Sequence, residues 1–327
     1  MTVHTFALRL FAFVALFSAL APQYAAAQSF PAKPVKFVVP FSPGGLSDTV
    51  ARLLGQELSA VWGQQVLVDN RPGASGIIAS ELVAKSPADG YTLLIADPQH
   101  LAINPAMNAK LPYNPVRDFA PVTLAAYGPL FLVAHPSVEA DSLPALIRLA
   151  RLKPGQLNYG SAGSGSIHHL TMESLKAALG LDIVHVPYKG AAQAVPALVS
   201  GQVALTIAAL PSLAQHVKAG KAKILAVSSG MRSPLAPEVP TVAELAIPGF
   251  DFAGQIGIVA PAGTPREVIA KLNADIIAVL KQPAFVARMA GLGIDTVGNS
   301  PEAFAAIIRA DIDKYARAVK VSGATAD

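Results

Sequence analysis

Short apolar runs alternate along the chain with amphipathic segments and turn residues. Val35–Val39 is a β-branched run that suits a buried strand. Pro40 and Pro43–Gly45 stop it, and residues 49–61 carry Val50, Leu53, Leu54, Leu58 and Val61 at helical spacing. Ser47 or Asp48 is placed to cap that helix. A strand at 65–70, a turn at 71–76 (RPGASG), a helix at 77–85, a turn at 87–91 and a strand Thr92–Ala96 follow. This β-α-β-α-β order predicts right-handed crossovers and a parallel sheet. Residues 97–118, rich in proline and asparagine, read as loop with at most a short helix. Two extended runs, 119–127 and 129–135, meet at Tyr127–Gly128, the predicted first crossing into a second domain.

The second domain repeats the pattern. Helices are predicted at Leu143–Leu152, 168–179, 191–200 and 211–219, with strands at 157–161, 183–187, 203–209 and 223–228. Residues 231–244 form a proline-rich connection, and the extended run 250–260 is the predicted second crossing. Tail helices at 265–280, Pro283–Gly291 and 301–320 carry apolar faces (Ile269, Leu272, Ile276; Phe304, Ile308, Ile312). They are expected to pack back on the first domain. Two crossings imply an α/β chain with two lobes around a central ligand cleft, a hinge-closing binder. The expected domains are 28–127 with 253–327, and 128–252.

Composition narrows the function classes. Arg9, an apolar run at 10–20 and an A-x-A site at 25–27 predict a secretory signal peptide over 1–27, and hence export. The chain holds no cysteine, which excludes disulfides, thiol catalysis and cysteine-ligated metal. A formal net charge of +4 favours small anionic ligands. No Lys/Arg run with interleaved aromatics points to nucleic acid.

The candidate chemistry lies where strand, glycine turn and helix start follow one another. There the glycines let backbone approach a ligand, and the first helical N–H groups face it at the positive end of the dipole. Residues 35–48 (VKFVVPFSPGGLSD) have this order, and residues 158–170 (NYGSAGSGSIHHL) repeat it. The carboxylate of Asp48 would repel an anion, so it is expected to cap backbone N–H groups. Ser161, Ser164 and Ser166 supply hydroxyls in the second stretch. That stretch lacks the lysine of a Walker loop, the third glycine of a dinucleotide fingerprint and a serine centred in G-x-S-x-G. His168 and His169 are adjacent and cannot chelate one ion together; each is expected to cap or pack. Asp97 ends a strand at the sheet's carboxyl edge, where it could meet a ligand amine or hydroxyl. No nucleophile–base pair, metal set or cofactor motif is visible.

At this point the chain resembles the periplasmic receptors of the tripartite tricarboxylate transporters, the Bug receptors. The matching stretches are VVPFSPGGLSD (38–48), VDNRPGASG (68–76), ADGYTLL (88–94), NYGSAGSGSIHHL (158–170), VPYKGA (186–191), AGKAKILAVSS (219–229) and APAGTP (260–265). They cover nearly the whole mature chain. The resemblance implies a type II-like periplasmic binding fold that closes on a small organic carboxylate and uses no cofactor or metal. The gripping loops would be 41–48, with Phe41, Ser42, Gly44, Gly45, Ser47 and Asp48, and 161–169, with Ser161, Ala162, Gly163, Ser164, Ser166 and His169. Tyr188 and Gln255 would shape the distal end. Gln255 stands where the family usually has Trp, and Ala197 where it often has Asp, which bears on specificity. The implied partners are a carboxylate and the permease subunits of a tripartite tricarboxylate-type transporter, with the receptor a periplasmic monomer. A rival reading feeds a sensor kinase. Another is an enzyme on the same scaffold, with His169 or Asp97 as its base.

Overall fold

β-Branched and leucine-rich runs form strands as their composition dictates, and the parallel core strands are buried along most of their length. A computed structural model of the chain describes residues 30–188 and 190–324. The proposed signal peptide and Lys189 lie outside the described residues. Phe30–Ala32 belong to a separate N-terminal unit, and all the strands and helices lie in the unit that begins at Lys33.

In chain order the elements are β1 (Val35–Val39), α1 (Leu46–Trp62), β2 (Val66–Asn70), α2 (Ile77–Ala84), β3 (Thr92–Ala96), α3 (Asn104–Met107), β4 (Phe119–Gly128) and β5 (Leu130–Ala134). Then come α4 (Leu143–Leu152), β6 (Asn158–Ser161), α5 (Ile167–Leu179), β7 (Val184–Pro187), α6 (Ala191–Val199), β8 (Leu205–Ala209), α7 (Leu210–Lys218) and β9 (Lys223–Val227). The chain closes with α8 (Val242–Leu245), β10 (Gly254–Pro261), α9 (Arg266–Leu280), α10 (Pro283–Gly291), β11 (Asp295–Thr296) and α11 (Pro301–Ser322).

Two sheets result, ordered β11-β4-β10-β3-β1-β2 and β7-β6-β8-β5-β9. The parallel sheet expected of the first three strands is present in β3, β1 and β2, and the strands beyond them in that sheet run antiparallel. β10 runs antiparallel to both β3 and β4, because it is the strand that returns from the second sheet. The first crossing is abrupt: only Pro129 separates β4 from β5. The second is longer, between β9 and β10. Phe250 and Phe252, expected in a strand, instead lie buried in the connection ahead of it, with Phe252 edge-on to Tyr315. The Ser228 hydroxyl donates to Phe252 O at 2.6 Å and fixes that connection.

The tail also departs from expectation. α9 packs on α1 and β4, but α11 serves both sheets. Phe304 and Ile308 at its start join the core of Val38, Leu94 and Leu124, whereas Tyr315, Ala318 and Val319 join that of Leu132, Leu170 and Ile207. Ser300 caps its start by accepting from Ala303 N–H, and Gly323 at φ +64° ends it.

Candidate functional site

Since β3, β1 and β2 are parallel neighbours, their carboxyl ends share one edge of the first sheet, the edge where open α/β sheets take ligands. The loop after β1 is exposed from Ser42 to Gly45. Gly45 is the N-cap of α1 and no side chain caps it, so neither Ser47 nor Asp48 takes the capping position. Asp48 sits inside the first turn and reaches back. Its Oδ2 accepts from Gly44 N–H and Arg52 Nε–H, both at 2.9 Å, and its Oδ1 accepts from Asn70 Nδ2 at 2.9 Å. Asn70 also donates to Phe41 O at 3.0 Å. Burial pushes the Asp48 carboxyl up, but Arg52, Gly44 and Asn70 together outweigh it and hold the group below its ordinary value.

The expectation for Asp48 was therefore right in kind: it binds backbone inside the loop. Among the described residues the N–H groups of Gly45, Leu46 and Ser47 have no acceptor, which leaves an unfilled helix start at the sheet edge. The Leu46 side chain holds that start against the crossings; a Cβ on Gly128 would come within 2.9 Å of its Cδ2.

The loop after β2 reaches the same edge, and sequence reasoning took it for a plain turn. Ala74 and Ser75 there hold φ values of +46° and +50°, unusual for residues with a side chain. Asn104 Nδ2 donates to Ser75 O at 2.9 Å and steadies the bend. Its legible signal was the one used elsewhere, small residues straight after a strand. After β3, Asp97 turns inward. Its Oδ1 accepts from Gln99 N–H at 2.8 Å and lies 2.7 Å from His100 Nδ1.

In the second sheet β7, β6 and β8 are parallel, and the 161–166 loop leaves the carboxyl end of β6. Ser166 caps α5: its Oγ accepts from His169 N–H at 3.3 Å and donates to Gly163 O at 2.6 Å. The Ser161 hydroxyl is buried, 2.7 Å from His185 Nε2, and Gly163 N–H donates to it at 3.1 Å. Two of the three candidate hydroxyls are thus engaged within the loop. Ser164 is exposed and has no partner among the described residues. Ala162 and Gly163 line the same bend, and Gly165 turns at φ +72° with Met107 against its Cα.

His169 packs within the second loop. Its Nδ1 accepts from Gly165 N–H at 3.1 Å, and its ring stacks on His185 at 4.0 Å between centroids. His185 in turn stacks on Tyr159. Burial, helped by the neighbouring His169, pushes the His185 pKa down to about 4. Burial alone does the same to His168. Ser161 and His185 form a hydroxyl–imidazole pair that sequence reasoning did not foresee, because the two lie on neighbouring strands. Ser161 itself is fully buried.

Tyr188 N–H donates to Ser161 O at 3.1 Å, and its ring lies over Gly160. Gln255 lies beside the carboxyl end of β3. It is buried on β10 and lines a small space of about 10 Å³ shared with Asp97 and Asp311. It also lines a cavity of about 860 Å³ with Tyr127, Phe252, Lys314 and Arg317, beside the crossings. None of residues 41–48 or 161–169 lines that cavity. Each strand-end loop offers donors: the first has the unpaired N–H groups of Gly45, Leu46 and Ser47, its carboxylate paired with Arg52, and the second has the exposed Ser164 hydroxyl. That is a donor set for an anion.

The model of the tripartite tricarboxylate transporter family receptor matches residues 50–323. Protein BugT of Bordetella pertussis is 37% identical over 319 residues, which span 97% of this chain and 98% of BugT. Rpa4515 of R. palustris, solved with adipate, superposes with a TM-score of 0.78 at 37% identity, covering 90% of this chain and 99% of the other. MatC from Rhodopseudomonas palustris, solved with bound malate, gives a TM-score of 0.73 at 32% identity, covering 89% and 100%. The chain belongs to the tripartite tricarboxylate transporter family of receptors, with the α/β periplasmic-binding fold of its Bug members.

Proposed function

We propose that this chain is a periplasmic receptor that binds a small organic carboxylate at the carboxyl edges of its two sheets and delivers it to a tripartite tricarboxylate-type permease. The observation that carries the reading is the unfilled start of α1, where Gly45, Leu46 and Ser47 present N–H groups without acceptors. Adipate and malate in two relatives support an acid as ligand. The binding groups are the N–H groups of Gly45, Leu46 and Ser47 on one side and the Ser164 hydroxyl with the Ala162 backbone on the other; Gly44 and Gly163, whose N–H groups are held by Asp48 and Ser161, shape the two loops. Ser161, Ser166, His169 and Tyr188 build the second loop's frame. The two domains are 28–127 with 253–327, and 128–252, joined by the crossings. The reading is one of binding without turnover.

A melting series on the ligand-stripped chain tests it, with adipate, malate, their amides and neutral sugars as additives. An acid at about a hundred times its dissociation constant stabilises by roughly 2.7 kcal/mol, several degrees in Tm. A shift from an acid and none from its amide supports the reading. A shift only from a sugar, or from none of the acids, rejects it.

A further inference from the structure

The segment after β3 is a single turn of π-helix, Gln99–Ile103, a form that occurs mostly at functional positions. It places His100 wholly inside the protein. His100 Nδ1 lies 2.7 Å from Asp97 Oδ1, so that nitrogen carries the proton and donates. Asp97 N–H, 3.2 Å from the same nitrogen, is the weaker alternative, since a protonated Nδ1 offers no lone pair. The rest of the ring faces the other two strand ends. Phe41, from the loop after β1, meets it edge-on at 5.2 Å between centroids. Gly76, from the loop after β2, approaches so closely that a Cβ built on it would collide with Nε2.

Nε2 itself is buried and has no hydrogen-bond partner among the described residues, a cost that a purely space-filling residue would not carry. The backbone is tied as well, since His100 O accepts from the Tyr113 hydroxyl at 2.7 Å. One imidazole therefore touches the loops after β1, β2 and β3 together.

We propose that His100 is a positioning residue that sets the three strand-end loops of the first sheet relative to one another, and through them the donors offered to the ligand. The effect on affinity rests on the carboxylate reading; the mechanical role does not. A phenyl ring could fill the space but not hold Asp97. An asparagine could hold Asp97 but not reach Phe41 or Gly76.

Residue-resolved amide hydrogen exchange on the full chain separates these roles. The reporters are Gly44, Gly76, Ile77 and Gln99, whose N–H groups bond to Asp48, Gly73, Ala74 and Asp97. In His100→Asn, exchange at Gly44, Gly76 and Ile77 should rise about tenfold or more, with Gln99, and Gly163 and Gly165 of the second loop, unchanged. Asp97→Asn, at a partly exposed position, is the gentler variant. It loosens the ring's anchor and should speed Gly44 and Gly76 several-fold, and it decides the matter alone if His100→Asn does not fold.

Unchanged exchange at Gly44 and Gly76, or an equal rise in the second loop, overturns the proposal. Whichever of adipate and malate stabilises the wild type should also bind His100→Asn at least about tenfold more weakly, a difference of ~1.4 kcal/mol. Equal affinity overturns the functional half. If neither acid binds the wild type, the carboxylate reading fails and the exchange pattern still decides the role of His100.

Discussion

The turns after β1 and after β6 share one plan, strand then glycines then helix, yet they satisfy their polar groups in opposite ways. The first is shallow and ionic. Its helix start is uncapped, its one carboxylate faces back onto Gly44, Arg52 and Asn70, and its forward N–H groups stay free. The second is deep and neutral. Ser166 caps its helix, and Ser161, His169 and His185 make a buried frame behind it. Main-chain donors facing solvent are thus best supplied by the first turn, while the second keeps its side chains for holding its own shape.

The largest effect should come from breaking the ionic turn. Asp48→Ala removes a buried acceptor of three hydrogen bonds and leaves Gly44 N–H without its partner, which should cost about 3 kcal/mol in urea unfolding. An equal loss from Ser166→Ala would erase the contrast between the turns.

Acid should separate the two regions next. His168 and His185 have folded pKa values near 4, against 6.5 in a free chain. Between these values the unfolded state binds more protons. Stability is therefore complete above pH 6.5 and falls as pH drops toward 4, by roughly 3 kcal/mol, most of it from His168 because solvent screening discounts the half-exposed His185. Asp48 has the opposite charge type and a lowered pKa. Its contribution survives that window and is lost only below pH 3.8, as pH falls through its folded value. Amide exchange against pH should show the second loop loosening first.

Smaller effects refine the picture. Ser166→Ala removes a helix cap and the bond to Gly163 O, worth about 1 kcal/mol in a melt. Ser164→Ala, with no partner to lose, should change stability by less than about 0.5 kcal/mol. Under the proposed function it weakens binding of the acid found in the melting series; unchanged affinity there would remove Ser164 from the site.

Much of the architecture was readable in the chain. Val35–Val39, Thr92–Ala96, Leu143–Leu152 and Pro283–Gly291 form with the boundaries their patterns predict, because local periodicity and the flanking proline and glycine decide them. α1 begins earlier than its apolar spacing implied, since Gly44 and Gly45 let the chain turn into the helix before Ser47. The turn at 71–76 was legible, but the positive φ of Ala74 and Ser75 within it was not, because no propensity marks those residues for it; contacts such as that from Asn104 hold them there. Gln255 could be assigned to β10 but not to a face, and it turns toward Asp311.

By itself the sequence determined the order of strands and helices, the two crossings and the two glycine-rich helix starts. All of these depend on residues within about one turn or one hairpin of each other. Tertiary structure alone decided which donors remain free. Asp48 meets Asn70, Ser161 meets His185, and His100 meets Phe41 and Gly76 across separations that no local pattern encodes. A hydrogen bond or ring contact between neighbouring strand ends exists only once the sheet has aligned them, so the site's chemistry emerges from register and packing.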